Sequence, residues 1–153
     1  MEPQIDIDTE INFNEITPDF FTMLKQFNPF GPGNQKPIFC TRRVTDYGTS
    51  RLVGKKNEHV KLELVDSKSK NIMNGIAFNM SQHFEHIKAG KPFDICYTIE
   101  ENTHNNGSIQ LFIKDMRPSE YYLTQYNSRE RFLVNLSLLF TIYIFKNKIT
   151  RQD

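Results

Sequence analysis

The sequence predicts a mainly β domain: a five-stranded barrel with an N-terminal helix before it and a short helix between its third and fourth strands. Three observations support this prediction. Apolar and polar residues alternate with period two in several segments after residue 37, which is typical of half-buried strands. The stretch before residue 28 has instead the spacing of an amphipathic helix. A connector rich in proline and glycine separates the two patterns, and 153 residues suit one domain with a single core.

The predicted N-terminal helix has a well-marked start and one apolar face. Thr17 suits the N-cap position, Pro18 the first helical position, and Asp19 the positive end of the helix dipole. The residues that share the apolar face are Phe20, Leu24 and Phe27. We expect this face to pack against the barrel or the connector, and the helix to end at Asn28, before a proline.

The connector, residues 28–39, is expected to be rigid and to change the direction of the chain. Proline fixes φ and favours extended geometry in the preceding residue, whereas glycine allows positive φ. The residues that act in this way are Pro29, Gly31, Pro32, Gly33 and Pro37. The connector therefore predicts the point at which the chain enters the β domain.

Five strands are predicted beyond the connector, each with an inward and an outward face. They cover residues 38–46, 59–66, 72–78, 93–101 and 108–117. Residues 81–88 have a helical pattern, and Gly90 is available as the C-terminal cap of that helix. Three strands, a short helix and two strands are the element order of an OB fold.

Charge is distributed unevenly, although the formal net charge is only +1. Residues 1–16 form an acidic N-terminal segment, while residues 42–61 are rich in Lys and Arg. A locally positive face of this kind attracts polyanions even when the whole protein is nearly neutral. The predicted helix and connector occupy residues 17–37, the barrel residues 38–118, and a C-terminal tail residues 119–153.

The tail contains an apolar stretch, residues 132–145, which is shorter than the roughly 17–25 residues of a membrane helix. No secretory signal is visible, so we expect a cytoplasmic protein without a membrane partner. Three interpretations of the tail stay open. It is a docked helix, an aggregation-prone strand, or the product of an altered reading frame in a truncated gene.

The sequence shows no pattern of catalytic or metal-binding residues. Cys40 and Cys96 have neither metal-ligand spacing nor the density of a disulfide scaffold, so we expect reduced core thiols. The histidines at positions 59, 83, 86 and 104 have no carboxylate or thiol spaced to complete a zinc site. Nucleophile-elbow and phosphate-loop motifs are also missing. We therefore expect no catalytic residue and no cofactor in this chain.

A series of short segments carries a resemblance to a known family. They are LKQFNPFGPGN at 24–34, VG at 53–54, HVKL at 59–62, GIAF at 75–78, DICY at 94–97, IEENT at 99–103, Gly107, QLFI at 110–113 and DMR at 115–117. In order and spacing they resemble the C-terminal part of RecJ, the bacterial single-strand-specific DNA exonuclease of the DHH phosphoesterase superfamily. The resemblance covers residues 11–118.

This resemblance implies an OB-fold domain that helps to hold single-stranded DNA for a 5′-to-3′ exonuclease of DNA recombination and repair. The Asp-His-His motif of the catalytic domains has no counterpart here. Mn or Mg is accordingly expected only in catalytic domains outside this chain. A second class stays open: a protein-interaction module that docks onto the exonuclease catalytic core or onto single-strand-binding protein.

An OB fold binds single strands with the face of its second and third strands and with the neighbouring loops. Lys and Arg there would contact phosphates, aromatic rings would stack on bases, and Asn102, by the resemblance, would hold a loop or meet the ligand. The predicted nucleic-acid-binding residues are Arg42, Arg43, Lys55, Lys56, His59, Lys61, Phe78, Asn102 and His104.

Overall fold

Short strands surround one apolar core in the computed structural model, which describes residues 7–104, 106–119 and 145. The strands are β1 (Thr9–Glu10), β2 (Phe39–Asp46), β3 (Arg51–Val53), β4 (His59–Asp66), β5 (Met73–Ala77), β6 (Phe93–Asn102) and β7 (Ser108–Pro118). The helices are α1 (Pro18–Lys25) and α2 (Phe84–Lys88), and single 3-10 turns lie at Phe13–Glu15 and Ser81–His83.

Five of these strands form a closed ring. β2 pairs with β6 along its first half and with β4 along its second half. β4 then pairs with β5, β5 with β7 in parallel, and β7 with β6, which completes the circle. The α2 helix lies between β5 and β6 in the chain. The predicted five-stranded OB-fold barrel is confirmed.

A bulge in β2 allows one strand to belong to both sides of the barrel. The β2–β6 register shifts between Thr41 and Val44, so one extra residue of β2 lies between them. Arg43 has a φ of 56°, and its N–H donates to Asp94 Oδ1 at 3.0 Å. Ser119 Oγ donates to the same oxygen at 2.7 Å. A bulge bends its strand and increases the local twist, which closing a small barrel requires.

The alternation predicted for the strands matches the core. Along β4, Val60, Leu62 and Leu64 are fully buried, and the residues between them are partly exposed. Gly75 lies where β5 meets β7: a Cβ there would lie 3.3 Å from the Leu111 carbonyl oxygen. β1 and β3 were not predicted, because strands of two and three residues are too short to show a period.

The α1 helix begins as predicted and ends earlier than predicted. Thr17 Oγ1 accepts a hydrogen bond from the Phe20 N–H at 3.1 Å, and Pro18 is the first helical residue. Beyond Lys25, the next three N–H groups bond to carbonyls only three residues back, so the chain tightens into turns before the proline. Phe20 and Leu24 are buried, and the Phe20 and Phe39 ring centroids lie 5.7 Å apart.

The connector forms a tight turn that the α1 end helps to hold. Gly31 and Asn34 exchange backbone hydrogen bonds of 2.8 and 2.9 Å. Gly33 has a φ of 80°, a value that favours glycine. Asn34 Nδ2 donates to the Phe27 carbonyl at 2.8 Å and to the Pro29 carbonyl at 3.0 Å. The proline and glycine pattern therefore produces a specific turn.

The segment before α1 packs onto the barrel. Ile11, Phe13 and Ile16 are buried in the main core. The Phe13 N–H donates to Asp66 Oδ2 at 2.6 Å, and Thr41 Oγ1 donates to the Ile11 carbonyl at 2.8 Å. The segment is thus held where β4 ends and where β2 pairs with β6.

Of the apolar stretch at 132–145, only Phe145 belongs to the described residues, and the predictions made for the rest of the tail lie outside them. The Phe145 ring centroid lies 5.8 Å from that of Phe20. Within the described ranges, no helix has the length and apolar character needed to cross a membrane.

We expect Asp94→Ala to lower the free energy of unfolding by about 2 kcal/mol, because the partly buried N–H of Arg43 and the buried hydroxyl of Ser119 lose their acceptor. Asp94→Asn keeps an acceptor oxygen in place, so it should lower the free energy of unfolding by clearly less. Urea unfolding monitored by circular dichroism measures both variants. Equal losses would show that the hydrogen bonds to this oxygen do not hold the bulge.

Asp46 predicts a pH dependence of stability. Burial alone would raise the pKa of Asp46, but hydrogen bonds from Ser50 and Gly48 and the Lys88 ammonium group outweigh burial and lower it. A lowered pKa stabilises the fold above the unfolded-state value, and the contribution is lost as the pH falls through the folded-state value.

Asp46→Asn should therefore lower the free energy of unfolding by about 1 kcal/mol at neutral pH. The difference from the parent protein should shrink as the pH falls below about 4. Urea unfolding at a series of pH values measures it, and a difference that does not change with pH would contradict the prediction.

Candidate nucleic-acid interface

The outer face of β4 and β5 carries one exposed aromatic ring, Phe78, between two half-buried rings. Phe78 follows β5 and is 51% exposed. Its ring centroid lies 5.1 Å from that of His59 on β4 and 6.0 Å from that of Phe112 on β7, and both contacts are edge to face. We call these three residues the ring row. Contiguous apolar surface, rather than a single exposed side chain, is the feature that points to binding.

Hydrogen bonds hold the first ring of the row. His59 Nδ1 accepts from the Asn79 N–H at 2.9 Å, and His59 Nε2 lies 3.3 Å from Glu58 Oε1. The first contact needs a bare Nδ1, so the proton of the neutral ring is on Nε2, facing the carboxylate. Asn79 has a φ of 57°, so the chain bends immediately after Phe78. The β4–β5 register, in which Val60 is opposite Ala77, places Phe78 beside His59.

A row of cross-strand neighbours joins the rings to positive charge. Arg51 on β3 is opposite Lys61 on β4, Lys61 is opposite Ile76 on β5, and Ile76 is opposite Phe112. Directly opposite residues project from the same side of a sheet. Within the described part of the chain, neither Arg51 nor Lys61 makes an ion pair. The face therefore combines cations with apolar and aromatic surface.

Two more lysines project at the turn between β3 and β4. Lys55 and Lys56 are exposed in a turn that begins at Gly54, which has a φ of 98°. A Cβ on Gly54 would lie 2.7 Å from Glu58 Oε2, so only glycine leaves room for this carboxylate. Hydrogen bonds from the N–H groups of Glu58 and Lys56 lower the pKa of Glu58. The turn thus carries two cations beside one anchored carboxylate.

Glu63, the other acidic side chain on the outer side of β4, is engaged by the β2–β3 turn. Its carboxylate accepts a hydrogen bond from Thr49 Oγ1, and its N–H donates to Ser50 Oγ at 3.1 Å. Among the described residues, Glu63 makes no ion pair with Lys61 or Arg51.

The structure places Arg42 and Arg43 away from the ring row. Val44 is opposite Asp66 at the far end of β4, roughly 20 Å from His59 at the rise of a strand. Arg42 Nε lies 3.2 Å from Glu10 Oε2 of the N-terminal segment. Both arginines line a polar cleft of about 440 Å³ between that segment and the end of β4.

Asn102 and His104 also lie away from the ring row, in the β6–β7 loop. The residue pairs of β5 and β7 place the start of β7 beside the start of β5, whereas Phe78 follows the end of β5. Asn102 Oδ1 accepts from the His104 N–H at 3.1 Å, and His104 is exposed. Asn102 therefore shapes the loop. The structure brings together Lys55, Lys56, His59, Lys61 and Phe78, and leaves the other predicted residues elsewhere.

Metal ligands are not gathered at any of these places. Among residues 7–104 and 106–119, no three His, Cys, Asp or Glu side chains lie where they could hold a metal ion. Burial lowers the pKa of His83, which lies beside α2. The four histidines lie in three different places: β4, the region of α2, and the β6–β7 loop.

Arg51 and Phe112 are residues of this face that the sequence prediction missed. Phe112 alternates with Leu111 and Ile113, so a large ring on the outward side of a strand was a usable signal. Arg51 lies on a three-residue strand, and only its place in the basic region 42–61 pointed to it.

Comparisons with known proteins give one family match. The model of the RecJ OB domain matches residues 7–115. Among solved structures, a match is the mitochondrial single-stranded DNA binding protein Rim1 from S. cerevisiae, with a TM-score of 0.41 and 16% identity over 55% of this chain and 96% of that chain. No curated protein matches the chain.

Proposed function

Because the chain belongs to the RecJ OB domain family, we propose that it holds single-stranded DNA on the outer face of β4 and β5. It acts as the accessory domain of a RecJ-type 5′-to-3′ single-strand-specific exonuclease in DNA recombination and repair. The observation that carries the proposal is the ring row, with exposed Phe78 at its centre and Lys61 and Arg51 beside it.

The chemistry of this face suits a single strand better than a duplex. Bases of a single strand are free to stack on rings, and each stack contributes about 1–3 kcal/mol without reading sequence. Lysine and arginine contact phosphates, which positions the strand without selecting bases. The face as proposed therefore binds with little sequence preference and with strong salt dependence.

In this proposal, phosphodiester hydrolysis belongs to catalytic domains outside this chain. Such hydrolysis uses clustered carboxylate and histidine ligands for two metal ions, which activate water and stabilise the leaving oxygen. The described residues offer no such cluster. Mn or Mg would be bound by those catalytic domains, and the present domain would hold the strand that they cleave.

A second candidate function has its own supporting observation. A cleft of about 150 Å³ lies between α1, the connector and the end of β6, and Phe21 and Phe30 form part of its apolar lining. Lys36 Nζ lies 2.7 Å from Glu100 Oε2 at its edge. This cleft would let the domain dock onto the exonuclease catalytic core or onto single-strand-binding protein.

Fluorescence anisotropy of labelled oligo-dT and of a duplex of equal length, at two salt concentrations, tests the main proposal. We expect tighter binding of the single strand, and a logarithmic salt slope of about 0.7 per contacted phosphate. Equal affinity for both, or no binding, would overturn DNA holding and leave docking as the function.

Phe78→Ala should weaken oligo-dT binding by about 5- to 150-fold, which corresponds to one lost stack of about 1–3 kcal/mol. The unfolding midpoint should change little, because half of this side chain is already exposed. Phe21→Ala on α1 is the matched control and should leave oligonucleotide affinity unchanged. Equal losses of affinity in both variants would show that the ring row does not contact the oligonucleotide.

Reversal of Lys55, Lys56 and Lys61 to Glu should abolish measurable binding at moderate salt, because phosphate contacts turn repulsive. The control variant reverses Lys68, Lys70 and Lys91 to Glu. It changes the net charge by the same amount, but at positions outside the proposed interface. Its effect should be much smaller and should fade as salt screens long-range charge. Anisotropy titrations of both triple variants decide between a local interface and a general charge effect.

A further inference from the structure

Cys40 and Cys96 form a pair of buried thiols that DNA binding does not use. We propose that they are an oxidation site, at which peroxide converts the two thiols into a disulfide across the seam between β2 and β6. Ile7 and the β1 strand cover this site. The proposal does not depend on DNA binding, since the pair lies on strands other than those of the ring row.

The strand register places the two cysteines within bonding range. Cys40 is directly opposite Cys96 in the antiparallel β2–β6 pair. Directly opposite residues in such a pair have Cα atoms about 4.5–5.5 Å apart, and disulfides span about 4.4–6.8 Å. The register therefore places the two Cα atoms within the range that a disulfide spans.

The two thiols point to the same side of the seam and interact. Phe39 and Tyr97, their chain neighbours, lie in the main core, whereas Cys40 and Cys96 form a separate cluster with Ile7. A hydrogen bond from the Cys40 thiol lowers the pKa of Cys96, and the same contact raises the pKa of Cys40. This contact favours the thiolate of Cys96 over that of Cys40, so Cys96 takes the attacking role in the proposed reaction.

The cover is an edge strand of two residues. Ile7 forms a buried cluster with the two cysteines. The Asp8 N–H donates to the Ile38 carbonyl at 2.8 Å, Asp8 Oδ2 accepts from the Ile38 N–H at 2.8 Å, and the Ile11 N–H donates to the Cys40 carbonyl at 2.9 Å. β1 adds two residues of strand pairing, and a short edge strand of this kind opens locally more often than the barrel unfolds. Such opening would admit a small oxidant to thiols that are 2% and 5% exposed.

The oxidant is hydrogen peroxide. The Cys96 thiolate attacks one peroxide oxygen, the O–O bond breaks, hydroxide leaves, and Cys96 becomes a sulfenic acid. The Cys40 thiol then attacks the Cys96 sulfur, the S–S bond forms, and the oxygen leaves as water with the Cys40 proton. Two thiols and one peroxide thus give one disulfide and two waters, and a thiol reductant reverses the change.

To test the site, the full chain is treated with hydrogen peroxide, and the reaction is quenched. The remaining free thiols are alkylated in denaturant and counted by intact-protein mass spectrometry. We expect both thiols to disappear together in a monomer that a reductant restores. The thermal midpoint should rise by about 10 °C, because the bond closes a long loop of the unfolded chain. Loss of a single thiol, sulfinic acid, or a disulfide-linked dimer would overturn the proposal.

Variants test the roles of the two cysteines and of the cover. Cys40→Ser should leave a sulfenic acid on Cys96 that dimedone traps, whereas Cys96→Ser should react much more slowly. Ile7→Ala should speed disulfide formation several-fold, whereas Ile16→Ala, a buried isoleucine of the same segment outside this cluster, should not. Equal rates in the two cysteine variants, or in the two isoleucine variants, would overturn the corresponding role.

Discussion

The bulge in β2 is the constraint on which the rest of the structure depends. Arg43 in the left-handed region bends the strand, and Asp94 accepts the hydrogen bonds that hold the bend. Without this bend, β2 could not pair with β6 and then with β4. Closing the ring removes the free edges of the five barrel strands, and the outer side of β4 and β5 carries the ring row.

The two ends of β4 differ in what covers them. At the end of β4, the Phe13 N–H bonds to Asp66 and Ile11 is held by Thr41, so the segment before α1 becomes part of the domain. At the start of β4, Phe78 is exposed beside the half-buried His59, with Lys61 near them. The barrel thus has one end occupied by its own chain and one face open to a ligand.

The proposed interface and the cysteine pair follow from the same barrel geometry. Residues directly opposite each other on neighbouring strands come close whatever their chemistry. On one side this places Arg51, Lys61 and Ile76 in a row. At the β2–β6 seam it places Cys40 against Cys96. The first arrangement suits an extended polyanion, and the second suits oxidation, because a two-residue strand covers it.

Period-two alternation, the Thr17–Pro18 start and the proline and glycine of the connector were enough to predict the five barrel strands and α1. These signals are local, because each depends on side-chain spacing or on the φ that a residue allows. The grouping of the candidate residues depends instead on pairing between distant strands. Only the tertiary structure decided that Phe112 joins Phe78 and that Arg42 meets Glu10, since register and bulge position depend on contacts between residues far apart in the chain.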